Sequence, residues 1–111
     1  MDNIKLYKEI VEALILELAQ YKPSHGDIEA EAVIDQERGH YEVLHVGWQD
    51  DKRVHGSVLH IDVIDGKVWI QYDGTSLNVA EELVNKGVPR DEIVLGFRPP
   101  RVRQYTGFAI A

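Results

Sequence analysis

Asp65-Gly66 lies between two runs, residues 54–64 and 68–72, that are rich in β-branched and aromatic residues. This dipeptide constrains the chain more than any other local feature. A two-residue Asp-Gly loop takes a type I′ turn, whose twist matches that of the strands it joins. The flanking strands are therefore antiparallel neighbours, and their register can be counted outward from the turn. Ile64 opposes Lys67, Val63 opposes Val68, Asp62 opposes Trp69 and Ile61 opposes Ile70. Continuing the count, His60 opposes Gln71 and Leu59 opposes Tyr72. One face then carries Leu59, Ile61, Val63, Val68, Ile70 and Tyr72, and is predicted to be the core.

The turn at residues 49–52 ties a further strand, residues 40–48, to this hairpin, and Arg38-Gly39 brings in a weaker one, residues 28–36. The opposite face collects Val58, His60, Asp62, Ile64, Trp69 and Gln71. Carried through the second turn, the count adds Tyr41 opposite His60, Val43 opposite Val58, and His45 opposite Gly56, with Ile34 from the first strand. Large aromatic groups mixed with polar ones are characteristic of protein interfaces. This face is predicted to meet either a partner or the chain's own C-terminal segment.

Helices flank the strands. Ile4, Tyr7, Val11, Leu14, Leu18 and Tyr21 recur three and four apart, which places them on one stripe of a helix over residues 3–20, with Asp2 or Asn3 as cap. Ile10, Ile15 and Leu16 widen the stripe enough to suggest a second contact, possible in a homo-oligomer. A second helix is predicted over residues 77–86, capped by Thr75 or Ser76 and ended at Gly87. Residues 93–95 read as a short strand or extended segment, Pro99-Pro100 interrupts regular structure, and residues 101–111 read as an extended tail. The expected fold is α+β: one domain over residues 1–111, with an N-terminal helix, a four-stranded antiparallel meander sheet, a second helix and a short C-terminal extended segment.

The chain has 111 residues, 44% of them hydrophobic and 28% charged, enough for one core without staples. It has no cysteine, which excludes disulfides, thiolate metal sites and cysteine nucleophiles. Residues 1–5 lead straight into an amphipathic pattern unlike a signal peptide, and no apolar run is long enough to span a bilayer, so a cytoplasmic location is expected. The net charge of −7 argues against a dedicated DNA-binding protein, which presents a basic face. Charge is uneven, however: Lys86, Arg90, Arg98, Arg101 and Arg103 against Asp91 and Glu92 give residues 86–103 a net +3.

Catalytic and metal chemistry are weakly signalled. His45 and His60 share a face but sit about four residues apart along neighbouring strands, roughly 13 Å at the usual rise, too far to converge on one ion. His40 falls on the core-side parity in this register. Turn geometry accounts for Asp50, Asp51 and Asp65. There is no glycine-rich phosphate loop and no Gly-X-Ser-X-Gly elbow. The expectation is a non-enzyme with no metal and no cofactor.

Five segments carry a resemblance: His45-Val-Gly-Trp48, Val54-His-Gly-Ser-Val-Leu-His-Ile-Asp62, Lys67-Val-Trp-Ile-Gln-Tyr-Asp-Gly-Thr75, Gly87-Val-Pro-Arg-Asp-Glu-Ile-Val-Leu-Gly-Phe97 and Arg103-Gln-Tyr-Thr-Gly-Phe-Ala109. In this order, and together with the N-terminal helix, they make the chain similar to the XisI-like family, named for the fdxN element excision controlling factor of filamentous cyanobacteria. The resemblance implies a regulatory factor in programmed DNA excision. In that family it is encoded beside a small protein, XisH, whose relatives look like nucleases. A XisH-like protein is therefore the expected partner. The family has no agreed catalytic residues to carry over. The residues expected to bind a partner are Arg98, Arg101, Arg103 and Tyr105 in the tail, and Trp69, His60 and Tyr41 on the second sheet face. The rival expectation is direct nucleic-acid binding by the arginine segment.

Overall fold

The computed structural model describes residues 3–111. In chain order it comprises α1 (Ile4–Leu18), β1 (Asp27–Asp35), β2 (His40–Gln49), β3 (Lys52–Ile64), β4 (Lys67–Asp73), α2 (Val79–Asn85), a 3₁₀ turn (Arg90–Glu92), β5 (Ile93–Leu95) and a one-turn helix α3 (Pro100–Arg103). The strands form a single sheet in the order β1-β2-β3-β4-β5. Three antiparallel hairpin pairings follow one another, and β5 then adds parallel to β4. The fold is α+β as expected, but the four-stranded antiparallel meander is corrected to five strands with one parallel pair. The reason is topological: α2 carries the chain back along the sheet, and a helical crossover delivers the next strand parallel to the last.

The Asp-Gly turn forms as the sequence dictates. Asp65 and Gly66 both take positive φ, 50° and 78°, and Ile64 pairs with Lys67, Val63 with Val68, Asp62 with Trp69 and Ile61 with Ile70. Beyond that point two irregularities change the register. Between His60 and Ile61 the pairing with β4 slips, leaving Gln71 as the extra residue, so that His60 opposes Tyr72 and Leu59 opposes Asp73. Between Val43 and Leu44 the pairing with β3 slips at Val58, so that Val43 opposes Leu59, Tyr41 opposes Ile61 and His40 opposes Asp62. A bulge inserts one residue on one strand and turns the side chains beyond it to the other face.

The consequences are specific. Tyr72, expected in the core, is 50% exposed. Tyr41 and Val43, expected on the second face, are 0% and 2% exposed and belong to the core cluster with Leu59, Ile61 and Val63. Ile34, which opposes Tyr41, also packs against that cluster. From α1, Tyr7, Val11, Leu14 and Ile15 cover this face, and Val79, Ala80 and Leu83 of α2 complete it. Ile10 and Leu18 pack at its margin, while Leu16 and Tyr21 remain exposed.

Capping is partly redistributed. Asn3 takes the N-cap position of α1 without a side-chain bond, and Asp2 lies outside the described residues. Asn78, not Thr75 or Ser76, caps α2, accepting from the Glu81 N–H. Thr75 instead donates its backbone N–H and hydroxyl to Asp73, closing the loop between β4 and α2. The expected extended tail is corrected too. Proline is favoured in the first helical turn, where no N–H is needed, and Pro100 opens α3 there. After α3 the chain returns to the sheet, where the Ala109 N–H donates to the Ile93 carbonyl.

Burial of Tyr41 carries a pH signature. Its hydroxyl donates to the Gln36 side-chain oxygen. Burial, reinforced by the negative charges of Glu12 and Asp35, pushes its pKa up to about 12. Between about pH 10 and that value the unfolded chain loses this proton while the folded chain keeps it. The contribution is thus complete below pH 10 and is lost as pH rises through the folded pKa. Denaturant titrations at pH 9 and pH 11.5 should show a smaller stability drop for Tyr41→Phe than for the unsubstituted chain.

Candidate functional site

With Tyr41 turned inward, the face of the sheet away from α1 and α2 has a different composition from the one counted along the sequence. His60 and Asp62 of β3 alternate on it, His40 and Glu42 lie beside them on β2, and Trp69 and Tyr72 lie beside them on β4. Val33 at 43% and Ile64 at 37% exposure widen it, and Tyr72 is open at 50%. These exposed apolar groups border charged and imidazole side chains.

At the centre is Asp62, the one buried charged residue among those described, at 6% exposure. Its Oδ1 lies 2.9 Å from His40 Nδ1 and 2.9 Å from His60 Nε2, and its Oδ2 accepts from Gln71 Nε2 at 3.2 Å. Burying a carboxylate is costly unless its oxygens are occupied. Here three side chains from three strands occupy them. The slip at Val58 places His40 directly across from Asp62, and the slip at Gln71 lets that amide reach the same carboxylate. Sequence reasoning placed His40 on the other parity and missed the cluster; a register shifted by one residue was the signal for it. His45, grouped with His60 from the sequence, lies on the helix side, lining a groove with Leu18 and Tyr21 of the α1 end.

The C-terminal segment lies against the Trp69 end of this face. The Arg103 guanidinium stacks 5.2 Å from the Trp69 ring centre. Its Nε donates to the Arg98 carbonyl at 3.1 Å, and its Nη1 and Nη2 reach the Ile110 and Gly96 carbonyls, each at 3.4 Å. A Cβ on Gly96 would sit 2.6 Å from the Gln71 Oε1 and 3.2 Å from the Trp69 ring, so the chain passes close over both. Arg103 therefore ties down its own segment. In α3 Arg101 and Arg103 project to different sides because residues two apart on a helix do not face each other. Arg101 and Arg98 remain exposed, as does Tyr105 at 80%.

The other basic groups are also engaged. Arg90 pairs with Glu81 at 2.7 Å and stacks on Phe108, and Lys86 meets Glu17 at 3.6 Å. Arg98 stacks on the ring of Phe97. Lys86 and Arg90 of the basic stretch are thus ion-paired within the chain and Arg103 is held by carbonyls, whereas Arg98 and Arg101 stay exposed.

Arg103→Ala should loosen the tail without unfolding the domain. Loss of the ring contact and three carbonyl contacts is expected to cost about 1–2 kcal/mol locally. Hydrogen exchange at the Ala109 amide should quicken by about tenfold or more, while amides in β3 keep their protection. Arg101→Ala should change neither.

Comparison with known proteins finds relatives of the same fold. The family model described as XisI protein matches residues 1–110. The crystal structure of a XisI-like protein from Anabaena variabilis shares 44% identity at a TM-score of 0.90, covering 97% of this chain and 99% of that one. The crystal structure of the fdxN element excision controlling factor XisI from the same organism shares 32% identity at a TM-score of 0.85, covering 99% and 100%. No relative was found among curated proteins. Among the described residues, no helix is long and apolar enough to cross a membrane.

Proposed function

The chain belongs to the XisI protein family, and on that premise we propose that it is a non-enzymatic regulatory factor for programmed excision of a DNA element, acting by binding a XisH-like protein. The observation that carries this reading is the sheet face that α1 and α2 leave uncovered. Val33, Ile64 and Tyr72 are exposed there around Glu42, His40 and His60. Aromatic and aliphatic groups set among polar ones are what a protein partner buries. The net charge of −7 complements a partner that handles DNA and so carries basic surface. Arg98, Arg101 and Tyr105 extend the surface from the segment anchored on Trp69. His60 and Trp69 belong to the proposed surface, whereas Tyr41 is buried in the core and Arg103 is engaged within its own segment.

Co-expression with the XisH-like protein encoded nearby, followed by affinity purification of either one, tests the proposal. A stoichiometric complex is expected; recovery of each protein alone from both directions would exclude it. Direct nucleic-acid binding is the rival reading, resting on Arg98 and Arg101. A gel shift at low salt that weakens steeply as salt rises would favour it. The same face suits a second copy of this chain, so a homo-oligomer is expected by sedimentation when no partner is present, and dissociation of that oligomer by Ile64→Asp.

A further inference from the structure

We propose that His40, His60 and Asp62 form a binding site for a divalent transition-metal cation of the zinc type. One ring nitrogen of His40, one of His60 and a carboxylate oxygen of Asp62 all lie within 4.8 Å of one another. Each residue comes from an ordered strand: His40 and Asp62 are directly paired across β2 and β3, and His60 stands two residues from Asp62 on the same face. Two imidazole nitrogens and one carboxylate oxygen are a donor set that favours zinc, nickel or cobalt over calcium or magnesium, which take oxygen ligands.

The surroundings fit that use. Gln71 Nε2 holds the second oxygen of Asp62 at 3.2 Å, the kind of supporting bond that orients a metal-ligating carboxylate. Asp62 is buried, but the His40 side chain is 54% exposed, so an ion has a path in and keeps an open coordination position toward solvent. In the hydrogen-bonded form both imidazoles lie 2.9 Å from the same Asp62 oxygen. Tetrahedral coordination at about 2.0–2.1 Å separates ligand atoms by roughly 3.3 Å, so each imidazole needs to move only a few tenths of an ångström from the Asp62 oxygen. The two imidazoles, within 4.8 Å of each other, adjust their own separation to the same value. The cation takes the place of the hydrogen bonds that join the imidazoles to the carboxylate. The open position lies on the face assigned to the partner, but the site is a property of this chain alone and stands or falls without the partner.

The test is calorimetric titration of the chelator-treated chain with zinc chloride, followed by cobalt(II) absorption spectroscopy. One zinc per chain is expected to bind at micromolar strength or better, about 8 kcal/mol. His40→Ala and His60→Ala should each weaken binding by about a hundredfold, and Gln71→Ala by about tenfold. His45→Ala, on the helix side of the sheet, serves as the control and should leave it unchanged. Because His40 is largely exposed, its variant keeps the fold, which circular dichroism verifies. Zinc binding weaker than about 100 μM, or binding that His40→Ala and His60→Ala leave intact, overturns the assignment.

Discussion

Tyr41→Ala is expected to destabilise the protein by about 3–5 kcal/mol, the usual cost of removing a buried aromatic side chain and leaving its cavity. Tyr72→Ala should cost less than about 1 kcal/mol, as most exposed substitutions do. The contrast is large because Tyr41 is fully buried among α1 and β3 residues, whereas half of Tyr72 faces solvent. Uniform counting along the hairpins gives the reverse order. Urea unfolding of the two variants therefore reads the two register slips directly. Comparable losses in both would mean that the β3–β4 pairing runs unbroken past Ile61.

Gly47→Ala should be nearly as damaging, at about 2–4 kcal/mol. Gly47 takes φ 158°, and a Cβ there would lie 2.0 Å from the Asp27 carbonyl oxygen and 2.7 Å from Ile28 Cα. Both obstacles are backbone of the paired strand β1, which opposes Gly47 at Ile28. No rotation of a side chain can relieve them, so β1 must separate from β2. Gly56 is the matched control, with nothing within 4 Å of its Cβ position, and Gly56→Ala should be close to neutral. Denaturation midpoints, with hydrogen exchange along β1, distinguish the two.

These expectations show which parts of the fold were legible in the residues and which were not. Asp65-Gly66 was legible because an I′ turn is a local conformational demand, met by two neighbouring residues with positive φ. The helix stripe was legible for the same kind of reason: Tyr7, Val11 and Leu14 keep helical spacing and are all buried. Bulges have no comparable mark. Val58 and Gln71 are ordinary strand residues, and what fixes the slips is packing of Tyr41, Leu59 and Ile61 under α1, a contact between distant segments. One missed residue moved Tyr41, Tyr72 and His40 to the wrong faces together. The β4–β5 pairing was hidden because it depends on where α2 delivers three residues. The cap of α2 was ambiguous because Thr75, Ser76 and Asn78 all suit the role. The Asp62 cluster was unreadable until its register was known, since His40 lies 22 residues away from it.

The central claim is that this family member acts through the sheet face opposite its helices. Affinity for the XisH-like partner, measured for paired surface variants, tests that claim most directly. Ile64→Asp with Tyr72→Asp places two charges on the proposed surface, and Leu6→Asp with Leu16→Asp places two on exposed positions of α1. The first pair should weaken the complex by about a hundredfold, in line with loss of apolar contacts at an interface centre, and the second should leave it within about threefold of the unsubstituted chain. A complex that tolerates the sheet-face charges and fails with the α1 charges would contradict the account.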